Sequence, residues 1–113
     1  MLLTEGLHDR DFLARCATGF ERFAHYLLGE TDGQPKTPDW AAAITGVPAE
    51  RIAALAREMA ATRTMISAGW SLQRAHHGEQ PFWMALTLAC MLGQIGLPGG
   101  GIGLGYGPTN LMG

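Results

Sequence analysis

The chain has 113 residues, of which 47% are hydrophobic and 16% charged, with a formal net charge of −2. That is the size of one small domain. It is too apolar for a disordered segment and lacks the positive excess that nucleic acid or an anionic membrane surface would call for. No apolar run reaches the about 20 residues of a bilayer-spanning helix, and the opening MLLTEGLHDR carries no basic n-region or cleavage signature, so no signal peptide is expected in it.

A first helix is predicted from Asp9 or His8 to about Cys16, with Phe12, Leu13 and Cys16 on one face. Thr18-Gly19-Phe20-Glu21 has the Thr-x-x-Glu spacing of a capping box, which predicts a second helix from near Gly19 to Leu28. Phe20, Phe23, Tyr26 and Leu27 form its apolar stripe. TDGQPK is a turn by its chemistry, since Asp-Gly followed by Pro favours tight reversal. Thr37 then caps a third helix with Pro38 at its first position, ending at Gly46. Pro48 opens a fourth, with Glu50 in its first turn. There Ile52, Leu55, Ala56 and Met59 follow the i, i+3, i+4, i+7 rule of a buried face. The two cysteines, Cys16 and Cys90, lie far apart inside apolar patterns and read as buried free thiols.

Residues 64–68, TMISA, form a short run best read as one buried strand. A fifth helix is expected from about Glu79 to Leu92; its stretch PFWMALTLACMLGQI has polar side chains only at Thr87 and Gln94. A helix apolar on nearly every side must be covered on nearly every side, and four short helices and one strand are too little cover. It is either the centre of a small bundle or a piece of a larger layered domain. Nine of the 16 glycines lie between Gly93 and Gly113. Such a tail is expected to form neither a helix nor a regular central strand, because each glycine adds backbone entropy that ordering must overcome. With no ladder partner in sight, strand, polar turn and helix make half of a βαβ unit, and the neighbouring strands are expected from elsewhere. The expected fold class is therefore a predominantly helical α/β fragment, about five short helices and one strand.

Between strand and helix lies GWSLQRAHHGEQ, residues 69–80, a dense group of hydrogen-bonding side chains in a chain with few charged residues. Open α/β sheets bind ligands at the carboxyl ends of their strands, and this loop falls there. Gly69 allows close backbone approach and Trp70 offers a flat surface. Ser71 and Gln73 donate or accept, and Arg74 can pair with phosphate in a fork. These suit a nucleotide or a pterin. The plainer reading, open at this point, is a loop with a buried Trp70 and a surface Arg74. His76 and His77 are adjacent and point differently, while His8 and His25 lack ligand spacing, which speaks against a zinc site. Glu79 reads as a helix-start carboxylate. Neither Ser67 nor Ser71 sits in a nucleophile elbow, and GGGIGLG follows a helix rather than a strand, so the dinucleotide fingerprint is not met.

The run ISAGWSLQRAHHGEQPFWMALTLACMLGQIGLPGGGIGLGYG resembles the middle of molybdopterin oxidoreductases of the dimethyl sulfoxide, trimethylamine N-oxide and biotin sulfoxide reductase type. GWSLQR with HGEQ, and MLGQIGLPGGG, are its most specific pieces. The upstream segments resemble the same family in the same order, so the likeness spans essentially the whole chain. It implies a parent enzyme of several hundred residues in four domains around molybdenum held by two molybdopterin guanine dinucleotides. Residues 1–113 would be part of one α/β domain gripping such a dinucleotide. In the family pattern Trp70, Ser71 and Arg74 contact the cofactor, and Gln73 matches the pattern as well. Many relatives have Gly at Ser71, so a backbone contact transfers there more safely than a hydroxyl one. Cys16 falls in a region often aromatic in relatives, and GYGPTNLMG departs from the usual continuation.

The family's metal-ligating serine lies upstream of these residues, so the chain alone is expected to be inactive, to hold no metal and to bind no cofactor by itself. Its implied partners are the remainder of the parent enzyme and, there, a small S-oxide or N-oxide substrate. Neither nucleic acid nor membrane is expected as a partner, and the fragment is expected to self-associate or to be only marginally stable. The alternative from another class is a non-catalytic helical interaction module with no affinity for guanine nucleotides.

Overall fold

Helix α1 spans Arg10–Cys16, α2 Phe20–Leu28, α3 Pro38–Thr45, α4 Ala49–Ala61 and α5 Glu79–Leu92, with strands β1 at Met65–Ala68 and β2 at Gly101–Leu104. The structure, a computed structural model, describes residues 1–104; the stretch GYGPTNLMG at 105–113 lies outside the described residues. Most ends follow from local chemistry. Asp9 caps α1 by accepting from the Phe12 amide at 2.8 Å, and Thr37 caps α3 by accepting from the Trp40 amide at 3.1 Å. Each side chain satisfies a donor that the first helical turn leaves free. The capping box at Thr18 does not form. Gly19 takes the cap position in a left-handed conformation (φ 80°) with no side-chain bond, so the helix starts one residue later than Thr18 requires.

The largest correction concerns β2. The glycine tail supplies a strand, and β2 pairs with β1 in parallel, Met65 opposite Gly101 and Ala68 opposite Leu104. Strand β1, crossover helix α5 and strand β2 make a complete βαβ unit, with α5 packed on both strands. Gly101 and Gly103 are buried while Ile102 is half-buried. A side chain at Gly101 would stand 3.1 Å from the Ile95 Cα. The glycines therefore mark close backbone approach rather than a loose terminus.

Leu2, Ala56, Met91 and Leu92 form the buried cluster, with Phe20, Phe23, Leu27, Met59, Ile66 and Leu88 packed against it. Two expectations fail at its margin. Leu55 is 53% exposed, so the buried face of α4 is Ile52, Ala56 and Met59. Cys16 is exposed and only Cys90 is partly covered, both as free thiols; burial is the main cause that pushes the Cys90 thiol above its ordinary value. Helix α5 is covered on one side only. Ala89, Met91 and Leu92 are buried, whereas Trp83 is 64% exposed, with Met84 and Leu86 also open. The chain buries too little of this helix for it to be the centre of a self-sufficient bundle. None of the described helices is long and apolar enough to cross a membrane.

Candidate functional site

Strand β1 ends at Ala68, and the chain passes through extended Gly69 into a 3-10 helix, Trp70–Arg74. The structure brings all four candidate residues, Trp70, Ser71, Gln73 and Arg74, onto this one turn. A 3-10 helix repeats every three residues, so Ser71 lies in line with Arg74, and Trp70 with Gln73. All four are exposed, Trp70 at 49%, which rules out the buried-Trp reading of the loop. Leu72, between them, is exposed as well.

The turn is held from behind by the chain that returns to α5. The Leu72 amide bonds the Gly69 carbonyl at 3.5 Å, and the Gly78 amide bonds the Ala75 carbonyl at 3.0 Å. His77 takes a left-handed φ of 56°, uncommon for a residue with a side chain, and its carbonyl accepts from the Gln80 amide at 3.0 Å. That reversal seats buried Gly78 directly against the Gln73 backbone, where any Cβ would overlap the Gln73 carbonyl. The sequence signal for this was the Gly after two histidines, which composition alone reads as loop.

Arg74 has no carboxylate partner among the described residues, a condition it shares with Arg10, Arg15, Arg22, Arg51 and Arg63; what distinguishes it is its place on this turn. Glu79 sits in the first turn of α5, where its own amide, then Gln80 and His77, hold its carboxyl below the ordinary carboxylate range. The positive end of α5 therefore already has an anion. The ion pairs among the described residues are His25–Glu30, Lys36–Asp32, Arg57–Glu5 and His77–Glu79. The His76 and His77 rings lie 4.0 Å apart between centroids, and no group of three His, Cys, Asp or Glu side chains converges among the described residues. An apolar groove of about 340 Å³ is lined by Leu27, Lys36, Ile52, Leu88 and Met91 among others, and by no residue of the loop.

Parallel strands, an apolar crossover helix and an open polar loop at the carboxyl end of β1 are the arrangement in which open α/β proteins place ligands. The chain belongs to the molybdopterin oxidoreductase family, whose sequence profile matches residues 3–110. A dimethyl sulfoxide/trimethylamine N-oxide reductase of Cereibacter sphaeroides is 63% identical over 109 residues, which cover 96% of this chain and 13% of that enzyme. Biotin sulfoxide reductase of the same organism is 57% identical over 112 residues, 99% of this chain and 15% of the relative. Trimethylamine-N-oxide reductase 1 of Escherichia coli K12 is 60% identical over 105 residues, 93% of this chain and 12% of the relative. The chain thus spans about an eighth of the length of the first of these relatives.

The family implies a molybdenum–pterin cofactor in the parent enzyme. The donor set of the loop fits such a group: a guanidinium with no carboxylate partner among the described residues, a half-exposed indole, a hydroxyl and a carboxamide on one short turn. Guanidinium suits phosphate and ring carbonyls, and indole suits a flat heterocycle.

Proposed function

We propose that this chain is the segment of a molybdenum-dependent S-oxide or N-oxide reductase that helps hold a molybdopterin guanine dinucleotide through Trp70, Ser71, Gln73 and Arg74. Residues 1–113 would form part of one cofactor-binding α/β domain. The observation that carries the reading is an exposed Arg74, without a carboxylate partner among the described residues, on the same short turn as half-exposed Trp70 at the carboxyl end of a parallel strand. Arg74 would anchor an anionic or carbonyl oxygen through a charge-assisted fork. Trp70 would cover one face of the ligand and exclude water from it. Ser71 would offer its backbone, and Gln73 its amide, to remaining polar atoms. When bound, the cofactor supplies oxygen-atom transfer from the oxide, a two-electron reduction; the protein's part is to hold and orient it. The open face of α5 at Trp83, Met84 and Leu86 is the surface the rest of the parent enzyme would cover. By itself the chain would neither retain the metal nor turn over an oxide.

The test belongs in a full-length reductase carrying this segment. Arg74→Ala should lower cofactor affinity about ten- to a hundredfold, the worth of one charge-assisted bond, while the circular dichroism of the apoprotein stays unchanged. Arg74→Lys should restore part of the loss, because Lys lacks the planar fork. Full molybdenum and pterin content in the Arg74→Ala protein would reduce GWSLQRAHHGEQ to a polar connection between strand and helix.

A further inference from the structure

Helix α5 ends at left-handed Gly93, and the next residue, Gln94, turns its side chain back toward the start of β1. Its Oε1 accepts from the Thr64 amide at 2.7 Å, and its Nε2 donates to the Thr62 carbonyl at 2.8 Å. One rung further on, the Gly101 amide donates to the Thr64 carbonyl at 3.0 Å. In a parallel ladder a residue donates to the carbonyl before its opposite number and accepts from the amide after it. The Gln94 carboxamide does this around Arg63, and Gly101 begins the same pattern around Met65. The side chain thus supplies one extra rung on the edge of β1 that β2 occupies.

The surrounding residues are shaped to admit it. A side chain at Gly100 would lie 2.9 Å from the Gln94 Cβ and 3.0 Å from its Oε1, so Gly100 must be bare for the amide to reach. The Leu97 amide bonds the Gln94 carbonyl at 3.1 Å and the Gly100 amide bonds the Leu97 carbonyl at 3.0 Å, folding the turn QIGLPGGG around it. The hydroxyl of Thr64 also reaches the Met59 carbonyl at 3.2 Å, which ties this rung to the end of α4.

We infer that Gln94 is a positioning residue for the loop at Trp70–Arg74: its side-chain amide acts as a ladder rung that fixes the register in which β1 delivers that loop. Register matters because a slip of one residue moves the strand by about 3.3 Å and turns its side chains to the opposite face. Two of the strand's four rungs face glycines, Met65 opposite Gly101 and Ser67 opposite Gly103. Side-chain pairing therefore specifies the register only weakly, and a polar lock at its start does what packing cannot. The side-chain hydrogen bonds of Gln94 go to Thr62 and Thr64 at the start of β1 rather than to the loop, so its effect passes through β1. The inference rests on the cofactor-grip reading above.

The experiment uses the full-length holo reductase and two readouts: cofactor release, followed by pterin fluorescence after dilution, and amide exchange of peptides covering residues 62–68. Gln94→Leu, near in size but without polar atoms, should release cofactor about tenfold faster, the scale of one to two lost hydrogen bonds, and expose the Thr64 amide to exchange. Gln94→Glu keeps the acceptor for Thr64 but sets a carboxylate oxygen against the Thr62 carbonyl, so it should also release cofactor faster while the Thr64 amide stays protected. Wild-type release from Gln94→Leu overturns the positioning role. Should Gln94→Leu fail to fold, Gln94→Glu decides alone: wild-type release overturns it. Arg74→Ala run alongside separates the two proposals, since silence there refutes the grip whatever Gln94 does.

Discussion

Replacing Gly78 by alanine isolates the geometry of the loop from its chemistry. The backbone of Gly78, φ −62° and ψ −14°, is ordinary right-handed helix, so alanine meets no torsional penalty there. Its Cβ, however, would overlap the carbonyl of Gln73. Restoring van der Waals separation moves that carbonyl by about 1 Å. Overpacking of this kind costs about 1–3 kcal/mol when nothing yields. Here the 3-10 turn is exposed and held by few bonds, so it yields, and the strain reappears as lost ligand affinity of roughly five- to a hundredfold. In a full-length reductase carrying this segment, Gly78→Ala should lower cofactor content on dialysis and leave the apoprotein's Tm nearly unchanged. Gly69→Ala is the control for stability, because its Cβ would meet only the Ser71 Oγ, at 3.9 Å, and its backbone is extended. Wild-type cofactor retention and wild-type Tm in Gly78→Ala would refute the packing of Gly78 on Gln73 and the loop geometry drawn from it.

Acid should loosen the surface of the fold in a defined window. Hydrogen bonds from Arg57 to Glu5, from Lys36 to Asp32 and from its own amide to Glu79 hold these carboxyls below their ordinary values. A depressed folded pKa means stabilisation present above the unfolded value and lost as pH falls through the folded one. Tm should therefore drop only below the normal carboxylate range, and Glu5→Gln should flatten part of that drop; an unchanged acid limb would count against the Glu5–Arg57 pair. The isolated chain should self-associate through α5, and Trp83→Ser with Leu86→Ser should shift sedimentation toward monomer. A dilute, monodisperse monomer of the unaltered chain would remove the argument that this face awaits the rest of an enzyme.

Where a rule acts within one turn of chain, the residues announced the structure. Asp9 and Thr37 cap the helices they were expected to cap, and Gly29, Gly46 and Gly93 end three helices in left-handed conformation. The loop at 69–80 was legible as a candidate site because its hydrogen-bonding groups lie where a strand ends. The failures are non-local. Thr18 has the spacing of a capping box, but Gly19 offers the cap position without steric cost and takes it. The run GGGIGLG looks like a flexible tail because its partner strand lies more than thirty residues earlier. Only the fold shows that Gly100 and Gly101 are bare because Gln94 and Ile95 press against them. The clue to that clamp was visible, since Gln94 ends an otherwise apolar run, yet nothing local says where its amide goes.

These glycines also separate what the chain asks of itself from what is asked of it. Gly78 and Gly100 are bare because the chain's own atoms fill the space a side chain would need. Gly69 has no such neighbour: its φ of −79° suits any residue and the nearest atom stands at ordinary contact distance. Next to it, Trp70 keeps half its surface in water, and Arg74 has no carboxylate partner among the described residues. Internal packing accounts for none of the three, and all three lie within six residues at the carboxyl end of β1. On the proposed reading, a flat ligand with phosphate or carbonyl oxygens would account for them together: the indole would cover its face, the guanidinium would pair with its oxygens, and the bare Gly69 backbone would let it approach. Gly69→Ala should then be silent in Tm yet weaken cofactor retention although its Cβ displaces no atom of the chain itself, and wild-type retention would refute the close approach.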